Sequence, residues 1–173
     1  MSREELRVIP SKNYFILGLI IVFSFLVLYY LYMWFDSYRE TKLNIPILNR
    51  YLEVINYNEL TDYLVENPNT IIYVSVLENS EIRNFEKKLK TAIKKNEIVK
   101  DVLYMDITND INNINGSSYE INGKNILDVP CVMVFDNGIL KSIYGISDNS
   151  YDIDAFKFFV NNIRFNSEDG LNG

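Results

Sequence analysis

Histidine is absent from the 173 residues. That removes the commonest general base near neutral pH and the commonest metal ligand in one stroke. There is a single cysteine, so neither an internal disulfide nor a cysteine-cluster zinc site can form. Positive charge is also short: the net charge is −6, and a phosphate backbone needs a basic face, so nucleic acid is excluded as an expected partner. No glycine-rich phosphate loop and no serine nucleophile elbow occur. No cofactor and no metal are expected from these residues.

Apolar residues make up 48% of the chain and charged ones 23%, which favours a packed core over disorder. The length leaves room for one ordinary domain and an appendage. Heavy use of Asn, Ile, Lys and Tyr fits an AT-rich bacterial genome. From Tyr14 to Phe35 the chain carries no charge. As a helix rising about 1.5 Å per residue, it is long enough to cross a hydrocarbon layer of about 30 Å. Tyr14 at one end, and Tyr29, Tyr30, Tyr32 and Trp34 at the other, are placed as interfacial aromatic belts. A buried core helix would carry a polar stripe, and a cleaved signal would end in small residues; Tyr32-Met33-Trp34 does not. The expectation is a single-pass anchor in the lipid bilayer of a cell membrane, after a short tail over 1–13. Arg3, Arg7 and Lys12 before the span nearly balance Arg39, Lys42 and Arg50 after it. With the free α-amino group added, the charges lean towards an inside N-terminus and an extracytoplasmic C-terminal domain.

Residues 36–50 are polar, contain Pro46, and read as a stalk or linker. Tyr51 to Ile55 reads as a short strand, and Asn58 as the cap of a helix over Glu59 to Val65. Thr70 to Val76 is dense in β-branched and aromatic residues, the pattern of a central strand covered on both faces. Asn79 or Ser80 caps a long helix with Ile82, Phe85, Leu89, Ile93 and Ile98 on one face and lysines on the other. Val99 to Ile107 reads as the next strand, followed by an Asn-rich stretch over 108–128. Cys131 to Phe135, the Asn137-Gly138 turn and Ile139 to Tyr144 carry the strongest short hairpin signal. Asp152 or Asp154 opens a last amphipathic helix through Phe156, Phe159, Val160 and Ile163, and 166–173 reads as a disordered tail.

Over 51–165 the order of elements, together with Val129-Pro130 before a strand, Phe135-Asp136-Asn137-Gly138 and Tyr144-Gly145, resembles thioredoxin-like proteins. The resemblance implies a three-layer α/β domain, a central mixed sheet flanked by helices. It also implies a cis bond before Pro130, and an active-site turn after Val76. In that turn the family's redox Cys-x-x-C positions fall on Asn79 and Ile82. Neither can form a thiolate, so dithiol chemistry, which needs a low-pKa thiol at a helix N-terminus, is not expected. The chain is expected not to be an enzyme.

The resemblance then implies a protein-binding or scaffold module of the bacterial envelope. Its edge is formed by Glu78, Asn79, Ser80, Glu81, Val129 and Pro130, where backbone groups can hold an extended segment of another membrane or envelope protein. The alternative is an accessory of thiol-disulfide quality control, or of bacteriocin or peptide export, that holds substrates for a separate enzyme. Cys131 shares a strand face with Met133 and reads as core. The run Asp106 to Asn112 lacks the glycine and glutamate of a calcium loop, and reads as a strand end turning into an Asx-rich loop. Lys87, Lys88, Lys90, Lys94, Lys95 and Lys100 read as solvated surface, with a membrane-facing patch as the other reading. Asn115-Gly116-Ser117 matches a glycosylation sequon, without meaning in a bacterium.

Overall fold

The computed structural model describes residues 11–165, which form two compact units dividing between Lys42 and Leu43. The first is helix α1, Ser11–Thr41. Its apolar side chains point outward all round, from Tyr14 to Phe35. It is long and apolar enough to cross a membrane, and no other helix among the described residues is. Ser24, the polar residue within the apolar run, turns its hydroxyl back to the Ile20 carbonyl at 2.9 Å, which satisfies it without water.

The second unit is built on a four-stranded mixed sheet in the order β2-β1-β5-β6. Strand β1, Thr70–Ser75, pairs in parallel with β2, Leu103–Asp106, and antiparallel with β5, Cys131–Asp136. Strand β6, Ile139–Gly145, closes the far edge antiparallel to β5. Every residue of β1 is buried, as its unbroken apolar run predicts. Alternation along the strands sends side chains to two cores. On one face Ile72, Val74, Cys131 and Met133 meet Leu60 and Leu64 of α2, Leu60–Glu66. On the other, Ile71, Tyr73, Val132 and Val134 meet Phe85 and Leu89 of α3, Ser80–Lys94, and Phe156 and Val160 of α4, Ile153–Asn161. Aromatic rings dominate this second core: Phe85 and Phe156 meet edge to face at 5.5 Å, and Tyr73 stacks on Tyr104 at 6.0 Å, each worth roughly 1 kcal/mol beyond burial.

Local chemistry sets the boundaries. Asn137 and Gly138 both take left-handed backbone (φ 53° and 73°), the geometry a two-residue hairpin demands. Helix α3 stops at Lys94, short of Ile98. Asn96 turns left-handed (φ 56°), and the amides of Glu97 and Asn96 return to the carbonyls of Ala92 and Ile93 at 3.0 Å each. This is a Schellman closure with Asn in the usual glycine place.

Several expectations differ from the structure. Tyr51 to Ile55 is no full strand: Val54 forms one isolated bridge to Tyr104. Glu53 and Val54 are exposed and only Ile55 turns inward, too little apolar surface to extend the pairing. Asn58 does not cap α2. A 3-10 turn over Tyr57–Glu59 leads into Leu60, and no side-chain cap is made. The strand expected over Val99 to Ile107 narrows to Leu103–Asp106. In the stretch read as linker over 36–50, α1 continues to Thr41, while Ile47 and Leu48 are buried in the core shared by α3 and α4. The Asn-rich segment holds a small hairpin, β3 Glu120–Ile121 with β4 Lys124–Asn125. The tail expected over 166–173, and most of the one expected over 1–13, lie outside the described residues.

Candidate functional site

The C-terminal end of β1 and the N-terminal end of β5 lie together because the strands run antiparallel, with Val74 opposite Cys131. Continuing that register brings Pro130 beside Ser75 and Val129 beside Val76. The segment leaving β1 turns at Glu78, whose φ of 65° is left-handed, and enters α3 through Asn79. The Asn79 carboxamide oxygen accepts from the amides of Glu81 at 2.8 Å and Ile82 at 3.1 Å. Asn79 therefore does the capping work its position predicts, and that oxygen is committed to the helix. Glu81 lies against Tyr151, raising the phenol's pKa, though burial of Tyr151 is the larger cause.

The loop before α3 is fastened from behind. The Leu77 amide donates to Thr108 Oγ1 at 2.7 Å, Thr108 Oγ1 donates to Asp106 Oδ1 at 2.6 Å, and the Glu78 amide donates to the Leu43 carbonyl at 3.1 Å. Asp106 also accepts from the Thr108 amide at 2.9 Å. Its Asx turn is thus a bracket for the loop. Among the described residues no group of three or more His, Cys, Asp or Glu could hold a metal.

The Val129-Pro130 bond is cis. Pro130 is buried and its carbonyl accepts from the Ile146 amide at 3.0 Å, while Cys131 pairs with both Val74 and Gly145. Val129 is half-buried, and its backbone amide and carbonyl have no hydrogen-bond partner among the described residues. Of the residues marked in the sequence, Glu78 to Glu81 and Val129-Pro130 therefore fall at one end of the sheet. Only Val129 there offers both of its main-chain groups unengaged.

Cys131 is fully buried in the core that also holds Val74, Met133 and Ile143. Burial pushes its thiol up to about 12, with Asp128 adding to the rise, so it stays protonated and unreactive at physiological pH.

A second constellation was not read from the sequence. Glu86, 2% exposed, accepts from Ser75 Oγ at 2.8 Å and from Tyr73 OH at 3.4 Å. Arg83, 4% exposed, approaches its other oxygen at 3.8 Å. Burial is the dominant influence and pushes the Glu86 carboxyl up to about 7, against the pull of Ser75, Arg83 and Tyr73. The Tyr104 phenol, held far above its ordinary range by burial and by Glu86, faces the same cluster. A signal existed: Arg83 and Glu86 fall on the apolar stripe of α3 beside Ile82, Phe85 and Leu89. Charges placed on a buried stripe must find partners, and Tyr73 and Ser75, two residues apart, share the facing side of β1.

No protein-family model matches the chain, and no curated protein matches it. What the fold and site define is a class: an α/β protein with a four-stranded mixed sheet, behind one helix apolar and long enough to span a membrane.

Proposed function

We propose that the chain is a single-pass, membrane-anchored thioredoxin-like protein without the family's dithiol. It acts as a binding or scaffold module for another membrane or envelope protein of a bacterium, with its domain on the outer side. The fold reading is supported by the order β2-β1-β5-β6 and by α3 following β1 after a short turn. The absence of enzyme activity is supported by Asn79 and Ile82 standing at the expected cysteine positions, and by the sealed thiol of Cys131.

The observation that carries the binding reading is the unengaged main chain of Val129, one residue before β5 begins its pairing. An extended peptide laid along that edge gains backbone hydrogen bonds in the manner of an added strand. The turn Glu78 to Glu81 forms the other bank.

The test is a mild-detergent pull-down of tagged full-length protein, with Pro130→Ala combined with Asn79→Ala as the variant. A partner recovered with the wild type and lost from the variant supports the edge; equal recovery refutes it. A photo-crosslinking residue at position 129 guards against simple misfolding, since it should join the same partner in the otherwise native protein. Protease added to intact protoplasts should digest the domain; its survival would reverse the orientation.

A further inference from the structure

From the distribution of charge on α3 we infer that the outward face of this helix is a docking surface for anionic lipid headgroups. The inference rests on the reading of α1 as a membrane span. Helical spacing sets Asn84, Lys88, Thr91 and Lys95 in one outward row, with Lys87 and Lys94 along its flank. Lys88, Lys94 and Lys95 are exposed. Between Glu81 and Glu97 the only carboxylate is Glu86, and it is buried inside the core. The row therefore presents ammonium groups with no neighbouring negative charge on its own helix, in a chain whose net charge is −6.

The flank is also held in place. The ammonium groups of Lys90 and Lys94 lie over the Tyr51 ring at 5.7 and 5.1 Å from its centroid, which fixes both on one side of the helix. At the C-terminal end of the row a carboxylate comes close to Lys95. There Lys95 is 3.9 Å from Glu97, whose other oxygen already accepts from Lys157 at 2.9 Å.

The occupant follows from charge complementarity and from the tether. Only Lys42 separates the last residue of α1 from the first of the second unit. A membrane crossed by α1 thus offers its headgroups to this unit at high effective concentration. Anionic lipid attracts clustered lysines within a Debye length, and the attraction fades as salt rises. Because Asn79 caps α3, seating this helix on the lipid would also set the direction in which the proposed edge faces its partner.

The experiment uses the full chain reconstituted into vesicles of phosphatidylcholine, alone or mixed with phosphatidylglycerol. A membrane-permeant amine-acylating reagent maps the lysines, read by mass spectrometry. Lys88, Lys94 and Lys95 should be protected several-fold in the mixed vesicles relative to the neutral ones. Lys141 on β6 should not change, and protection should vanish in high salt. Replacing Lys88→Glu and Lys95→Glu together should abolish the protection of Lys94. Equal labelling in both vesicles, or protection that includes Lys141 equally, overturns the docking surface. Failure of the chain to float with either vesicle would overturn the membrane span itself, and the inference with it, so the two failures are told apart.

Discussion

The buried Glu86 gives the sharpest quantitative prediction. An ordinary glutamate carboxyl titrates at 4.5, and in this fold Glu86 is held at about 7. The folded state therefore binds the proton more tightly than the unfolded chain. The stability this lends is complete below pH 4.5, declines as pH climbs, and is gone once pH passes 7. At about 1.4 kcal/mol per pKa unit, the loss across that window comes to about 3 kcal/mol. The groups facing the carboxyl are Tyr73 and Ser75 from β1, Arg83 from α3, and Tyr104 and Asp106 from β2. The perturbation is Glu86→Gln, which keeps the side chain's shape and an acceptor for Ser75 but cannot ionise. Arg83 loses a neighbouring carboxylate in this variant only at pH values where Glu86 would be ionised, an effect already contained in the position of the Glu86 titration. Urea unfolding of the full chain in mild detergent, followed by tyrosine near-UV circular dichroism from pH 5 to 8, reads the difference. Wild type minus variant should fall by about 3 kcal/mol over the window, while the titration of all other carboxylates cancels. Parallel pH profiles for the two proteins would refute the reasoning.

Asn79→Ala should cost about 1 kcal/mol in the same unfolding assay through loss of the α3 cap, and Asn79→Asp should cost little, because the carboxylate still accepts and favours the helix N-terminus. Phe156→Ala empties the centre of the aromatic core against Phe85 and Tyr73, and should destabilise by roughly 3–5 kcal/mol. Cys131, with its thiol pushed up to about 12 by burial, should resist iodoacetamide in the native protein at pH 8 and react fully in urea; rapid native labelling would contradict its place in the core.

The legible parts of the fold were those where periodicity and cap chemistry agree. Thr70 to Val76 announces a buried strand by its composition alone, and Asn79 followed by the stripe Ile82, Phe85 and Leu89 announces α3. The hairpin at Asn137-Gly138 was legible because apolar runs flank it. Asn122-Gly123 adopts the same left-handed pair of conformations (φ 54° and 74°), yet its strands are two residues long and mostly polar, so the pattern gave no warning. The start of β5 after Val129-Pro130 was legible because a proline opening a β-branched run leaves little choice of place. The Glu86 cluster was obscured by a different cause. Charge near a helix surface is the ordinary case, and the partner strand that turns this one inward is distant in sequence. Asn58 misled because capping propensity is local, whereas the burial of Leu60 and Leu64 decides where α2 begins.

Ile47 and Leu48, buried beyond the end of α1, divide the outcomes of a cut in the chain that follows α1. A cut just ahead of Leu43 releases a body with every core side chain still attached, and with the Leu43 carbonyl that accepts from the Glu78 amide. A cut only a few residues later, after Arg50, strips Ile47 and Leu48 from the layer beneath α3 and α4. The released fragment then carries an open gap where two apolar side chains sat, a species marked for aggregation and proteolysis. Survival or destruction after release is thus decided within one short segment, and the nature of the cleaving protease would determine which of the two fates follows.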